Sequence, residues 1–409
     1  MAAPDDGSDI VAVTVVYDVG SRTETPGFSG FAHLFEHLMF QGSDNAPRGT
    51  HARQIQSCGG VFNATTHLDY TEYYQLLPST GLEHALYLEA DRMRSPAFSD
   101  SSLRNQIAVV AEEITGALLS RPYGGFPWLQ LAPVLFKRFE NAHNGYGSIE
   151  ELRNTTVRQA KHFFHEHYGP GNALLVVAGA ASAKTVAELT ERHFGDIPAR
   201  SGTPWQALPE PPVLAERRAV CTDPLAPVSL FASGWRVPDP VLDLRGFLAF
   251  LVLCPTLADG TRGRLSERLV FNDRLATGVT CRLGLTGETF GVRDPTCLVL
   301  TAAHATDRLD SVLAAVDEEI ARLADRGPDD AELTTALATT RAQLIRSDDA
   351  LIERARRLAI FGLQHRDAAL ADRLPAIVAE ITASEIRRAA TELRAQRRAT
   401  VELLAGATK

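Results

Sequence analysis

This chain has little of what would tie it to an oxidising compartment, a nucleic acid or a membrane. Only five of its 409 residues are cysteine: Cys58, Cys221, Cys254, Cys281 and Cys297. The count is odd and the spacings are not those of a metal site. Reduced thiols in a cytoplasmic protein are therefore expected, not a disulfide framework. Positive charge is also short. Lys and Arg total 41 against 50 Asp and Glu, a formal charge of −9, which leaves no basic footprint for nucleic acid and no polybasic patch for a membrane. Long apolar runs are missing too. The longest spans residues 247–254, far short of the roughly 20 needed to cross a bilayer. Residues 1–9 are polar and acidic, without the basic start and apolar centre of a signal peptide.

What is present is the composition of a globular protein, 45% hydrophobic and 22% charged. The length is too great for one ordinary core and implies two domains. Residues 201–212, with Gly202, Pro204, Pro209, Pro211 and Pro212, form the best linker, between an N-terminal domain over 1–200 and a C-terminal one over 213–409. The β-branched run 10–17 reads as a buried strand. Helices are expected at 30–41, 48–58, 81–95, 100–120, 156–168 and 183–194, with strands at 61–66, 71–77 and 174–178. The Gly/Pro-rich, aromatic stretch 122–133 should break the pattern. After the linker the strand-helix order repeats, with strands at 217–222, 228–235, 278–285, 296–303 and 399–404.

The segment His33-Leu34-Phe35-Glu36-His37 carries the chemistry. Histidines four apart share one helix face, and Glu36 lies between them on nearly the same face. Two neutral nitrogen ligands and a base are the minimum for a zinc hydrolase. The order His-x-x-Glu-His reverses the familiar His-Glu-x-x-His and is the inverzincin signature. Paired histidines are common on solvated helices. Here, however, Leu34, Phe35, Leu38, Met39 and Phe40 would bury the helix, and polar groups there are costly unless paired or metal-bound. Gly42 should end the helix. A catalytic site needs a third protein ligand. The segment 105–114 has helical periodicity and adjacent carboxylates, Glu112 and Glu113. Neighbouring helix positions point about 100° apart, so only one can face the site.

The motif, followed by Val109-Val110-Ala111-Glu112-Glu113 at 113 − 37 = 76 residues, resembles the M16 family of zinc peptidases, the pitrilysin-like and mitochondrial-processing-peptidase-like enzymes. Residues 18–40, 59–66 and 168–179 resemble the family as well. The resemblance implies an α+β fold of two homologous sandwich-like domains, each a mainly antiparallel sheet covered by helices. It implies one Zn2+ held by His33, His37 and Glu113, with Glu36 as general base and an extended peptide lying against the strand edge at Asn63 and Ala64. It also implies a strand ahead of residue 10, so the first sheet should be shortened or the chain should continue upstream. Two departures stand out. Gln106 occupies the place of a glutamate that would support the third ligand, which removes a charge from the ligand's surroundings. Val270 and Thr277 stand where active members carry an arginine and a tyrosine that hold substrate. Arg268 and Arg274 are the nearby substitutes if the register is shifted. The simplest account is a heterodimer in which a homologous subunit without zinc supplies that pair. The alternative is a non-catalytic core subunit of an M16-like assembly.

Other groups read more plainly. His162, His165 and His167 suit a solvated helix end. His51, His67 and His143 read as loop residues. Arg354, Arg356 and Arg357 read as a solvated helix face. The aromatic loop 123–128 could line a substrate pocket or join a core.

Overall fold

The computed structural model describes residues 1–5, 7, 9–200, 206–258, 260 and 262–406. Residues 201–205 of the expected linker lie outside the described residues. Two compact units are present. The first takes Met1–Glu113, Asn144–Gln206 and Arg346–Asp372; the second takes Ile114–His143, Ala207–Ile345 and Arg373–Lys409. A single division at 201–212 did not anticipate this exchange of segments.

The first unit is built on a five-stranded sheet of β1 (Ala2–Pro4), β2 (Ile10–Tyr17), β3 (Val61–Thr66), β4 (Thr71–Pro78) and β5 (Ala173–Gly179), in the order β1-β5-β2-β4-β3. Only the β1–β5 pair is parallel. Seven of the eight residues of β2 are buried, because it is central and both its faces are covered. Its Val13 sits between Gln75 of β4 and Val177 of β5. The expected shortening of this sheet does not occur. Ala2–Pro4 supplies the outer strand, too short to stand out as a period-two pattern. At the other edge, β3 has a strand partner on one side only among the described residues, with Asn63 opposite Tyr74 and Ala64 opposite Tyr73.

Helices cover both faces of that sheet. Successive strand residues point to opposite faces, and Tyr73 and Tyr74 mark the two sides. Arg92 of helix Leu82–Arg94 lies over the Tyr73 ring, whereas Arg356 of helix Leu351–Gln364 lies over Tyr74. The latter helix comes from the C-terminal half of the chain and packs on β2, β4 and β5. Its arginines are not a solvated face. Arg356 donates through Nε to the buried Glu72 carboxylate at 3.0 Å, and Arg357 pairs with Asp348.

The second unit repeats the plan with β6 (Arg217–Asp223), β7 (Ser229–Val237), β8 (Ala276–Leu283), β9 (Thr296–His304) and β10 (Ala399–Ala405), in the order β6-β10-β7-β9-β8. Its parallel pair is again at the outer strand, β6 with β10. The helix Trp128–Leu135 forms where a break was expected, despite Pro133 within it. Leu131, Leu135 and Phe136 are buried there against Ala232, Val299 and Val401. That burial outweighs the one backbone hydrogen bond a proline removes, and the aromatic loop before it leads into a core. A second unforeseen helix, Leu370–Ala379, also contains a proline, Pro375. Among the described residues no helix is long and apolar enough to cross a membrane.

Candidate metal centre

The motif helix runs from Phe31 to Leu38 and buries Phe31, Leu34, Phe35 and Leu38. It ends earlier than Gly42, the expected terminator. Gly42 instead takes φ +106° in a tight turn that bridges to Pro47. Gly30, the residue just before the helix, has no side chain to cap it. The cap comes from Glu24, a buried carboxylate that accepts the N–H groups of Gly30 and Ala32, each at 2.8 Å. Two orphan donors at a helix N-terminus are thus satisfied by one charged group, which also complements the helix dipole.

Three ligand-type atoms converge beside this helix. His33 Nε2 lies 3.4 Å from His37 Nε2 and 3.4 Å from Glu113 Oε1, and His37 Nε2 lies 3.2 Å from Glu113 Oε2. Among the described residues they are the one set of three or more histidine, cysteine, aspartate or glutamate side chains close enough to share an ion. Glu113 comes from the helix Asp100–Ile114, and its neighbour Glu112 is exposed to solvent.

The spacing suits a metal ion. Ligands about 2.0–2.1 Å from a tetrahedral zinc stand about 3.3–3.4 Å apart. The chemistry of the donors agrees. His33 Nδ1 faces the Tyr146 carbonyl at 3.4 Å. A neutral ring that donates there turns the lone pair of Nε2 towards Glu113. Lone pairs meeting at this distance repel unless a proton or a metal cation lies between them. Protonation is favoured for the same reason. Burial pulls the His33 pKa down, but the Glu113 carboxylate, with Glu36 and the Tyr146 carbonyl, outweighs it and the net shift is upward. The two imidazoles in turn hold the Glu113 carboxyl well below the usual range, against the opposing effect of its partial burial.

The other expected residues fall in distinct places. Glu36 is anchored by Thr66, whose hydroxyl donates to Glu36 Oε2 at 2.8 Å. Thr66 ends β3, so the edge strand and the carboxylate are mechanically joined. Asn63 and Ala64 lie on that strand, Asn63 exposed and Ala64 buried. Gln106 is buried on the helix that carries Glu113, two turns earlier. In the second unit, Arg268 bonds Asp273, Glu318 and Glu319. The histidine-rich helix end is only partly solvated. His162 pairs with Glu166 at the surface, while His167 is buried against Phe163. Glu24, Thr66 and Tyr146 were not foreseen. Each reaches the motif through the fold, and no short-range spacing signals it.

Residues 1–119 match the family described as Insulinase (Peptidase family M16), and residues 154–340 match Peptidase M16 inactive domain. Zinc protease PqqE of Helicobacter pylori is 30% identical over 278 residues, which cover 66% of this chain and 60% of that protein. Human mitochondrial-processing peptidase subunit beta is 25% identical over 248 residues, 59% of this chain and 50% of that one. The chain thus spans about half to three-fifths of the curated relatives named here. The crystal structure of a protease from Helicobacter pylori has the same fold, with a TM-score of 0.86 and 24% identity over 98% of this chain and 96% of that one.

Proposed function

The chain belongs to peptidase family M16, and from that premise we propose that it is the metal-bearing subunit of a zinc endopeptidase. The observation that carries this reading is the convergence of His33 Nε2, His37 Nε2 and a Glu113 oxygen at 3.2–3.4 Å, with Glu36 on the same helix. Those three residues would hold one zinc ion, which would lower the pKa of water towards about 7 and polarise a carbonyl. Glu36 takes the proton of the attacking water on its carboxylate and returns it to the leaving amine. The Thr66 hydroxyl keeps that carboxylate in one orientation.

The substrate is an extended polypeptide that adds as a strand to the open edge of β3 at Asn63 and Ala64. Short or unfolded peptides can do this and folded proteins cannot. A homologous subunit without zinc supplies the arginine and tyrosine that hold substrate. Two considerations support this. By the family resemblance Val270 and Thr277 occupy the corresponding positions, and Arg268 already serves three carboxylates of its own unit. A relative named as a processing-peptidase subunit fits the same reading. The cytoplasm is proposed as its compartment on the low and odd number of cysteines in the sequence.

The deciding test is Glu36→Gln in the complex purified from its native cell. Zinc content should stay near one per chain while cleavage of an unfolded peptide falls at least ~100-fold. Undiminished cleavage would refute the base assignment.

A further inference from the structure

The motif helix is held at its start by a segment more than a hundred residues downstream. Ser29, just ahead of the helix, donates its hydroxyl to the Asn144 carbonyl at 3.2 Å and its N–H to Glu151 Oε2 at 2.8 Å. Gly30 and Gly147 meet backbone to backbone. A Cβ on Gly30 would lie 2.6 Å from Gly147 Cα, and one on Gly147 would lie 2.5 Å from Gly30 Cα. Between these contacts Tyr146 presents its carbonyl to His33 Nδ1 at 3.4 Å and its ring to the imidazole, centroid to centroid 5.0 Å and nearly perpendicular. The turn is internally braced. Asn144 Oδ1 accepts the Tyr146 N–H at 2.9 Å, and the Asn144 carbonyl accepts the Gly147 N–H at 3.0 Å.

We propose that the turn 144–147 is a positioning element for the metal centre, with Asn144 its key residue. It sets which nitrogen of His33 carries the proton. The inference rests on the zinc reading above and deepens it. A neutral imidazole has one lone pair, and it ligates only through the nitrogen without hydrogen. With a metal held, Nε2, facing Glu113 and His37, would give its lone pair to the ion, and the Tyr146 carbonyl would accept the hydrogen left at Nδ1. An outer-shell acceptor of this kind contributes 10–100-fold to metal affinity. A carbonyl cannot be deleted by substitution, but its position can be. Asn144→Ala removes the acceptor that holds the Tyr146 N–H and frees the turn. Asn144→Asp keeps an oxygen at the same place. Gly147→Ala drives the turn off Gly30.

The experiment uses the full chain and three readouts: zinc affinity by competition with a chelating indicator, the His33 Nδ1–H signal of zinc-loaded protein, and the melting temperature of metal-free protein. Asn144→Ala should weaken zinc binding by roughly 10–100-fold and move the His33 Nδ1–H signal of zinc-loaded protein away from its hydrogen-bonded position. Asn144→Asp should behave as the parent, and the metal-free melting temperature of both should hold. Parental zinc affinity in Asn144→Ala, or an affinity loss matched by loss of metal-free folding, would overturn the proposal. Should Gly147→Ala fail to fold, the asparagine pair decides. A parent chain that takes up no zinc would sink the metal reading. A parent that takes up zinc yet shows no hydrogen-bonded Nδ1–H on His33 would overturn the role of the turn alone.

Discussion

Glu112 and Glu113 are chemically identical neighbours, and only their angular positions on one helix separate them. Glu113 meets both imidazoles while Glu112 is exposed. Glu113→Gln should therefore cut zinc affinity at least about tenfold, since a lost ligand costs no less than a lost outer-shell partner, and Glu112→Gln should leave it unchanged. Zinc retained after dialysis against a chelator measures both. The residue scale also marks where the sequence was informative. His33, Glu36 and His37 were legible because a helix converts their spacing directly into a shared face. Glu113 was legible only as one of two. Thr66, Glu24 and Tyr146 act on the motif across 30, 6 and 113 residues of chain. Their contacts depend on how a strand end, a turn and a loop return to the helix, which no periodicity records.

At the scale of elements, the motif helix is capped by a residue outside it, and the central sheet is locked by a helix from the other end of the chain. Glu24→Ala would leave two buried N–H groups without their charged acceptor. A cost of about 2–3 kcal/mol is expected, read as a lower urea midpoint in metal-free protein. Arg356 bonds the fully buried Glu72, which also pairs with His67 at 3.2 Å. Burial pushes the Glu72 pKa up, but His67 and Arg356 outweigh it and the net shift is downward. A carboxylate with a depressed folded pKa stabilises the protein at pH values above its unfolded pKa, near 4.5. That contribution is lost as pH falls through the lower folded value. Arg356→Met should cost about 3–5 kcal/mol at pH 7, because a buried charge loses its main partner. The gap between variant and parent should narrow as the pH is lowered below about 4. Urea unfolding at both pH values checks the amount and the sign. Among the elements, β2, β4, β5 and the helix Ala183–Phe194 were legible because their apolar patterns are long and regular. The helices Trp128–Leu135 and Leu370–Ala379 were hidden by their prolines, whose cost is offset by burial that sequence alone does not display.

At the scale of the molecule, two sheets share one strand order, each with its parallel pair at the outer strand. The shared plan was visible as a recurring order of strands and helices, although the residues themselves show little self-similarity. The exchange of segments was not visible, since nothing in Leu351–Gln364 names the sheet it covers. That helix closes the face of β2, β4 and β5 opposite the helix Leu82–Arg94. A fragment of residues 1–206 would therefore bear the complete metal motif yet leave Glu72, Tyr74 and one side of its central strands uncovered. Exposed apolar strand surface of this kind promotes association. Expressed alone, the fragment should aggregate and retain less than about a tenth of its zinc-binding capacity, as expected when several kcal/mol of burial are lost from a marginally stable unit. Co-expressed with residues 207–409, which bring the missing helix, it should elute as a soluble complex with about one zinc per pair. Size-exclusion chromatography with metal analysis decides the matter. A soluble, zinc-replete 1–206 fragment would mean that the exchanged helix contributes little to the fold of the unit that holds the motif.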